Sequence, residues 1–331
     1  MIDARVLVIG TGAVGGVTAG LMTGEVADVV ALDADPDHVA RLRDPGLRLD
    51  CMGEERTVRL DARGSIDALE GPFDFGLITL KAPALPAVLP ALHERGLVDV
   101  YVSLGNGLVQ DRVAEVVGAD RLVAGTVEFG ATNHGPGHVS QTTRNPFVIG
   151  ELDGTVRPRT ERLREVLETV AEVRVTDNIR GQIWSKLLVN SALSGLGVVG
   201  GVLYRDVITD PDGRAALLAV WGEGHRVGAA QGLELEEVLG IEPDALLAPD
   251  PDPALAIVSG LAGATKASML QDVERGLATE VDVINGAVVR RAADLGMSAP
   301  ANTRVVELVH SYERGEASPS PRHFAGVAAA A

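Results

Sequence analysis

Arg5-Val6-Leu7-Val8-Ile9-Gly10-Thr11-Gly12-Ala13-Val14-Gly15 decides the fold of this chain. Residues 5–9 form a largely apolar run of strand length. Gly10, Thr11, Gly12, Ala13, Val14 and Gly15 then spell G-x-G-x-x-G, and residues 16–22 continue as a helix of small residues. A glycine-rich turn between a strand and a helix is the setting in which this pattern binds a dinucleotide. Gly10 allows the tight turn, Gly12 admits a pyrophosphate, and Gly15 allows close packing of helix on strand. The helix start then offers uncommitted N–H groups and a positive dipole end to phosphate.

The pattern alone is weak, but a second half follows. Asp28-Val29-Val30-Ala31-Leu32-Asp33 reads as the next strand and ends in a carboxylate. Asp33 lies about 20 residues beyond the glycines, where an acidic residue bonds the adenosine ribose hydroxyls.

At 331 residues the chain suits two domains rather than one core. With 46% hydrophobic and 23% charged residues it reads as folded rather than disordered. Only 3% is aromatic, so the cores must be built from Val, Leu, Ile and Ala, which suits helices layered on a sheet. The net charge of −17 disfavours nucleic acid and anionic membrane as partners and leaves small molecules. Cys51 is the single cysteine, which excludes an intramolecular disulfide. No histidine shows metal-ligand spacing, and no metal is assigned. Strand and turn follow directly on the first residues, and no stretch reaches membrane-spanning length without interruption by charge or turn residues. The expectation is a cytoplasmic protein.

Residues 1–176 alternate strand-like and helix-like runs, the pattern of a Rossmann-type α/β domain with a parallel sheet. A helix is expected at 36–42 and strands at 75–80, 100–104 and 122–132. Weak alternation over 138–149 reads as antiparallel strands. Lys81 and Asn106 both follow strand carboxyl ends, where ligands sit in open α/β sheets. Residues 177–316 read as an all-α domain, with helical segments at 179–196, 213–232, 255–273 and 280–295. The proline- and acid-rich stretch 248–253 reads as a surface loop. Residues 317–331 are small and polar, then alanine-rich, and are expected to be a disordered tail.

In the 179–196 segment Lys186, Asn190 and Ser194 recur every fourth residue and share a helix face. Such a stripe suits a polar ligand; on periodicity alone the commoner reading is a lysine snorkelling over a polar strip. Thr279-Glu280-Val281-Asp282 resembles a capping box, with Thr279 as N-cap and Glu280 in the first helical turn. By itself Glu280 there merely complements a helix dipole.

These segments occur together, in this order, in one family. The chain resembles ketopantoate reductase from Gly10 to about Tyr312. The resemblance rests on the glycine loop, Thr79-Leu80-Lys81-Ala82, Asn106-Gly107, Ile183-Trp184-Ser185-Lys186-Leu187-Leu188-Val189-Asn190, Ser268-Met269-Leu270-Gln271-Asp272 and Thr279-Glu280-Val281-Asp282-Val283-Ile284-Asn285-Gly286. It implies a Rossmann domain joined to a helical domain, with the active site in the cleft between them. It implies reduction of a 2-oxo acid to a D-2-hydroxy acid, with Lys186 and Glu280 catalytic. Lys81 and Asn106 would contact cofactor, and Asn190 and Ser268 substrate. Ser194 and Thr265 stand in the substrate region where the family often has asparagine.

Ketopantoate reductases usually use NADPH, with a basic residue near the end of the second strand. Here Asp33, Asp35 and Asp37 occupy that segment, and the first cation is Arg41. The expectation is therefore NAD(H) in preference to NADP(H), as in the branch of D-mandelate-type 2-hydroxyacid dehydrogenases. A non-catalytic dinucleotide-binding regulator is the alternative of a different class. A homodimer stays open.

Overall fold

The computed structural model describes residues 1–331. The chain divides into two compact units, Met1–Gly105 with Val109–Ile179, and Asn106–Leu108 with Arg180–Ala331.

The first unit is α/β. Its strands are β1 (Ile2–Ile9), β2 (Val26–Leu32), β3 (Leu47–Cys51), β4 (Glu54–Val58), β5 (Asp61–Arg63), β6 (Phe73–Ile78), β7 (Val98–Ser103), β8 (Leu122–Val127), β9 (Ala131–Gly135), β10 (His138–Gln141), β11 (Phe147–Gly150) and β12 (Val173–Val175). Its helices are α1 (Ala13–Met22), α2 (Pro36–Arg41), α3 (Leu85–Glu94), α4 (Val109–Val117) and α5 (Pro158–Leu167). The main sheet runs β12-β11-β8-β7-β6-β1-β2-β5. From β5 to β8 every pairing is parallel, β11 pairs antiparallel with β8, and β12 is the edge strand, parallel to β11. Numbered by parallel strand, that order is 3-2-1-4-5-6, the doubly wound arrangement that places a ligand where the order reverses, at β1. Val6, Leu7 and Val8 are fully buried, as a central parallel strand requires.

A second sheet, β4-β3-β10-β9, was not expected. The run 122–132, read as one strand, divides at Gly130 into β8 and β9, which belong to different sheets. The run 138–149 likewise divides, β10 into the small sheet and β11 into the large one. The small sheet covers α1: Cβ atoms added at Gly16 and Gly20 would lie 3.0 Å from Val139 Cγ1 and Leu49 Cδ2. The small residues of α1 thus serve packing along its length.

The second unit is helical: α6 (Ile179–Val189), α7 (Gly195–Gly200), α8 (Tyr204–Thr209), α9 (Pro211–Ala230), α10 (Asp252–Ala262), α11 (Ser268–Glu274), α12 (Asn285–Asp294), α13 (Pro300–Glu313) and α14 (Phe324–Ala328). One turn of π-helix, Asn190–Ser194, joins α6 to α7. The stretch 255–273 is two helices rather than one, broken at 263–267. Residues 179–200, which include Arg180 and Lys186, are long and apolar enough to cross a bilayer, yet 83% of the apolar window is buried inside the fold. That burial marks a core helix. The segment 317–331 is not a loose tail. Phe324 and Val327 are fully buried, and Ser320 N–H donates to the Val199 carbonyl at 2.9 Å. Two apolar residues three apart hold this last turn down, a signal masked by the alanines around them.

Candidate active site

In the first unit the glycine loop is fixed before any ligand arrives. Gly10 has φ +89°, open to glycine at little cost, and a Cβ there would lie 2.6 Å from Leu80 Cδ2. A Cβ on Gly15 would collide with the Gly10 carbonyl oxygen and with Thr79 Oγ1. Thr79 in turn donates its hydroxyl to the Gly10 carbonyl at 2.6 Å. A Cβ on Gly12, by contrast, would meet nothing within 4 Å. Helix α1 starts there with no side-chain cap and no acidic residue in its first turn. Ala13 and Val14, half-buried, open that turn. Open space before unshielded N–H groups fits a diphosphate.

Thr11 is buried and fully satisfied. Its N–H and hydroxyl both donate to Asp33 Oδ2, at 2.8 and 2.9 Å. Its carbonyl accepts from His38 Nε2 at 2.8 Å. Gly137 N–H donates to His38 Nδ1 at 2.9 Å, so the imidazole is the neutral Nε2–H tautomer. Sequence reading missed His38, whose partner Gly137 is far away in the chain. Asp33 Oδ1 also accepts from Asp35 N–H at 3.0 Å. Two of the nearby arginines are engaged, Arg43, which donates to the Ala62 carbonyl at 2.9 and 2.7 Å, and Arg63, which pairs with Asp61, while Arg41 lies exposed at the end of α2. Lys81 is exposed and starts the turn after β6.

In the second unit, α6 is buried almost all round. Trp184 Nε1 donates to the Gly224 carbonyl at 3.0 Å, and Ser185 Oγ accepts from Glu236 N–H at 2.8 Å. Gln182 and Ser185 are buried, so Lys186, itself half-buried, does not stand on a polar surface strip. One turn on, Asn190 is half-buried, and its Nδ2 is wholly buried without a hydrogen-bond partner. Ser194 departs from expectation. The π-turn widens the spacing, and Ser194, 3% exposed, hydrogen-bonds Tyr204, whose hydroxyl burial pushes up to about 12. Its hydroxyl is spent on the core. Thr265 and Ser268 are exposed, in the 263–267 break and at the start of α11.

Glu280 is 5% exposed. It precedes a 3-10 turn, Val281–Val283, rather than lying in an α-helix. The capping box is absent: Thr279 Oγ1 accepts from Val281 N–H at 3.2 Å, and Asp282 turns to His310 Nε2 at 3.1 Å. Thr279 N–H donates to Glu313 Oε1 at 2.7 Å, and Glu313 Oε2 meets His310 Nδ1 at 2.8 Å. Burial pushes the Glu313 carboxyl up, but the Thr279 and His310 bonds outweigh it and hold the group below its ordinary value. Burial pushes His310 down, but Glu313 and Asp282 outweigh it and hold the imidazole above its ordinary value. Segment 106–108 packs on the same turn: Leu108 N–H donates to the Val283 carbonyl at 2.9 Å, and a Cβ on Gly107 would collide with that oxygen. The structure thereby brings the Asn106 loop against the turn that carries Glu280.

The chain is similar to known proteins over both units. The family description "Ketopantoate reductase PanE/ApbA" matches residues 6–154, and its C-terminal counterpart matches 178–313. The 2-dehydropantoate 2-reductase of Archaeoglobus fulgidus is 29% identical over 73% of this chain and 77% of its own length. That of Halobacterium salinarum is 27% identical over 94% and 99%. Among solved structures, a PanE/ApbA family ketopantoate reductase from Ralstonia eutropha JMP134 superposes with TM-score 0.82 at 26% identity, covering 94% of this chain and 99% of that one. A D-mandelate dehydrogenase with NADH and anilino(oxo)acetate shares the fold at TM-score 0.80 and 22% identity, covering 94% and 99%. Two family models matched in order, over both units, establish that this chain belongs to the ketopantoate reductase PanE/ApbA family.

Proposed function

We propose that the chain is a nicotinamide-dependent reductase of 2-oxo acids, of the 2-dehydropantoate 2-reductase type. The observation that carries this reading is the buried, unpartnered amide of Asn190 one turn beyond Lys186. A buried donor without a partner costs stability, which a substrate oxygen would restore. A nicotinamide cofactor, when bound, would supply the hydride that reaches the ketone carbon. As negative charge grows on the ketone oxygen, the Lys186 ammonium stabilises it and gives it a proton. Glu280 orients the lysine or the new hydroxyl. Ser268 binds the substrate carboxylate, with Asn190 and Thr265 beside it. Gly10 to Gly15 hold the diphosphate, and Lys81 and Asn106 contact the cofactor.

NAD(H) is the proposed cofactor. Asp33 faces ribose hydroxyls favourably, whereas a 2′-phosphate would bring about two negative charges toward it. Arg63 is already paired with Asp61, and Arg43 is held at the Ala62 carbonyl. The same carboxylate favours a D-mandelate-type 2-hydroxyacid dehydrogenase as the second reading. The test is absorbance at the NADH band with a panel of branched and aromatic 2-oxo acids, run with NADH and with NADPH. Fastest turnover of ketopantoate supports the first reading, and of benzoylformate the second. No turnover with any acid, together with tight dinucleotide binding, would replace both by a non-catalytic regulator.

A further inference from the structure

The π-turn that carries Asn190 is held by a buried polar relay from three other helices. In that turn Gly195 N–H is shared between the Ala192 carbonyl and the Asn190 carbonyl, five residues back, and does not reach that of Ser191. The Ser191 carbonyl accepts from Asn285 Nδ2 at 3.0 Å. Asn285, fully buried at the start of α12, also donates from Nδ2 to Asn302 Oδ1 at 3.0 Å. Asn302 Nδ2 donates to Glu223 Oε2 at 2.9 Å and to the Val220 carbonyl at 3.2 Å. Glu223, on α9 and 1% exposed, accepts two further bonds from Ala301 and Asn302 N–H, at 2.8 and 2.9 Å. Those two N–H groups lie in the first turn of α13, where a carboxylate meets the positive helix end.

Each amide has one allowed orientation, because each Nδ2 faces only acceptors. The relay therefore has a direction, from the Glu223 carboxylate to the Ser191 carbonyl. Burying a carboxylate and two amides gains little stability over an apolar core of equal volume. What it does gain is a fixed position for one carbonyl in an irregular turn. Single π-turns inside helices are uncommon and occur mostly at functional sites.

We infer that Glu223, Asn302 and Asn285 are positioning residues that hold the π-turn and thereby aim the Asn190 amide at substrate. This rests on the reading of Asn190 as a substrate contact. Gly195 belongs to the device. A Cβ there would lie 2.7 Å from Asn285 Oδ1 and displace the carboxamide, although alanine is the better helix former.

The test has two arms. In the first, amide hydrogen exchange at Gly195 is compared in wild type and Asn285→Ala. Exchange at least about tenfold faster there, with α9 protection unchanged, is expected. Unchanged exchange at Gly195 overturns the inference whatever the enzyme's activity. The second arm is a double-mutant cycle on the KM of the 2-oxo acid. Asn190→Ala and Asn285→Ala should each raise KM about tenfold, and the double variant no further. Additive effects, or an Asn285→Ala variant of unchanged KM and lowered Tm, would show a purely structural role. A wild type inactive on every acid removes the substrate reading alone and leaves the exchange arm to decide. If Asn285→Ala does not fold, Gly195→Ala takes its place in both arms with the same expected outcomes.

Discussion

Asp33 Oδ2 accepts two hydrogen bonds from one residue, the backbone N–H of Thr11 at 2.8 Å and its hydroxyl at 2.9 Å. The residue read as a ribose acceptor is thus also a clamp on the glycine loop. His38 closes the other side through the Thr11 carbonyl. A loop fixed in this way gives up little entropy when it binds a diphosphate.

Clamp and specificity can be separated by substitution. Thr11→Val removes one hydroxyl bond to the carboxylate and keeps the charge. It should weaken NADH and NADPH alike, by roughly tenfold to 100-fold, the size of one charge-assisted bond. Asp33→Ala should weaken NADH more and lower the NADH-to-NADPH affinity ratio. Titration of protein fluorescence with each dinucleotide reads both effects. A wild type that prefers NADPH would sink the cofactor assignment.

Lys186 should matter to chemistry rather than to cofactor binding. Lys186→Ala is expected to lower kcat at least about 10²-fold, as loss of a general acid does, with NADH affinity nearly unchanged. Near-normal turnover in that variant would remove the proposed mechanism.

The two serines should part company. Ser268→Ala should raise the substrate KM, because a carboxylate bond worth roughly 1.5–3 kcal/mol is lost. Ser194→Ala leaves the buried Tyr204 hydroxyl without its partner. It should lower Tm by a few degrees and leave KM within about twofold. A raised KM in Ser194→Ala with unchanged Tm would restore the role first read for it from helical spacing.

That contrast shows what sequence spacing can carry. A strand, a glycine turn and a helix are local, so the Rossmann core was legible from residues 5–33. The four-residue spacing of Lys186, Asn190 and Ser194 assumed an unbroken α-helix. The π-turn depends on Asn285, which donates to the Ser191 carbonyl from 94 residues away, and no local pattern announces it. The small sheet escaped for a similar reason. β3 and β10 are short, and their pairing partners lie about 90 residues apart in sequence. Glu280 was legible by family resemblance, while its burial and its 3-10 setting follow from α13, which supplies His310 and Glu313.

His310 makes the turn after Glu280 sensitive to pH. Its imidazole sits between Glu313 and Asp282 and is held above its ordinary value, while Glu313 is held below its own. A raised imidazole adds stability that is complete below its unfolded value of 6.5 and fades as pH rises through the folded one. A lowered carboxyl adds stability that is complete above its unfolded value of 4.5 and fades as pH falls through the folded one. The pair therefore contributes most between about pH 4.5 and 6.5. The Tm difference between wild type and His310→Gln should be largest in that window and shrink toward pH 9. A difference constant from pH 5 to 9 would show that the imidazole charge plays no part.

The last segment should prove part of the fold. Phe324 is fully buried, and its ring lies where a Cβ on Gly200 would collide with it and a Cβ on Gly213 would come within 3.2 Å. Two glycines, one ending α7 and one in the first turn of α9, thus leave room for one ring. Tyr312 adds a second tie, its hydroxyl 3.2 Å from the Val199 carbonyl and 2.5 Å from His323 Nδ1. Phe324→Ala removes the ring and leaves a cavity that the two helices cannot close. The expected loss is about 3–5 kcal/mol, of the order of a third of a domain's stability. Chemical denaturation should show a lower midpoint with an unchanged slope. Truncation after Gly315 should cost at least as much, because it also removes buried Val327 and the Ser320 bond to the Val199 carbonyl. A truncated chain that denatures at the wild-type midpoint would return residues 317–331 to the disordered tail that their composition suggests.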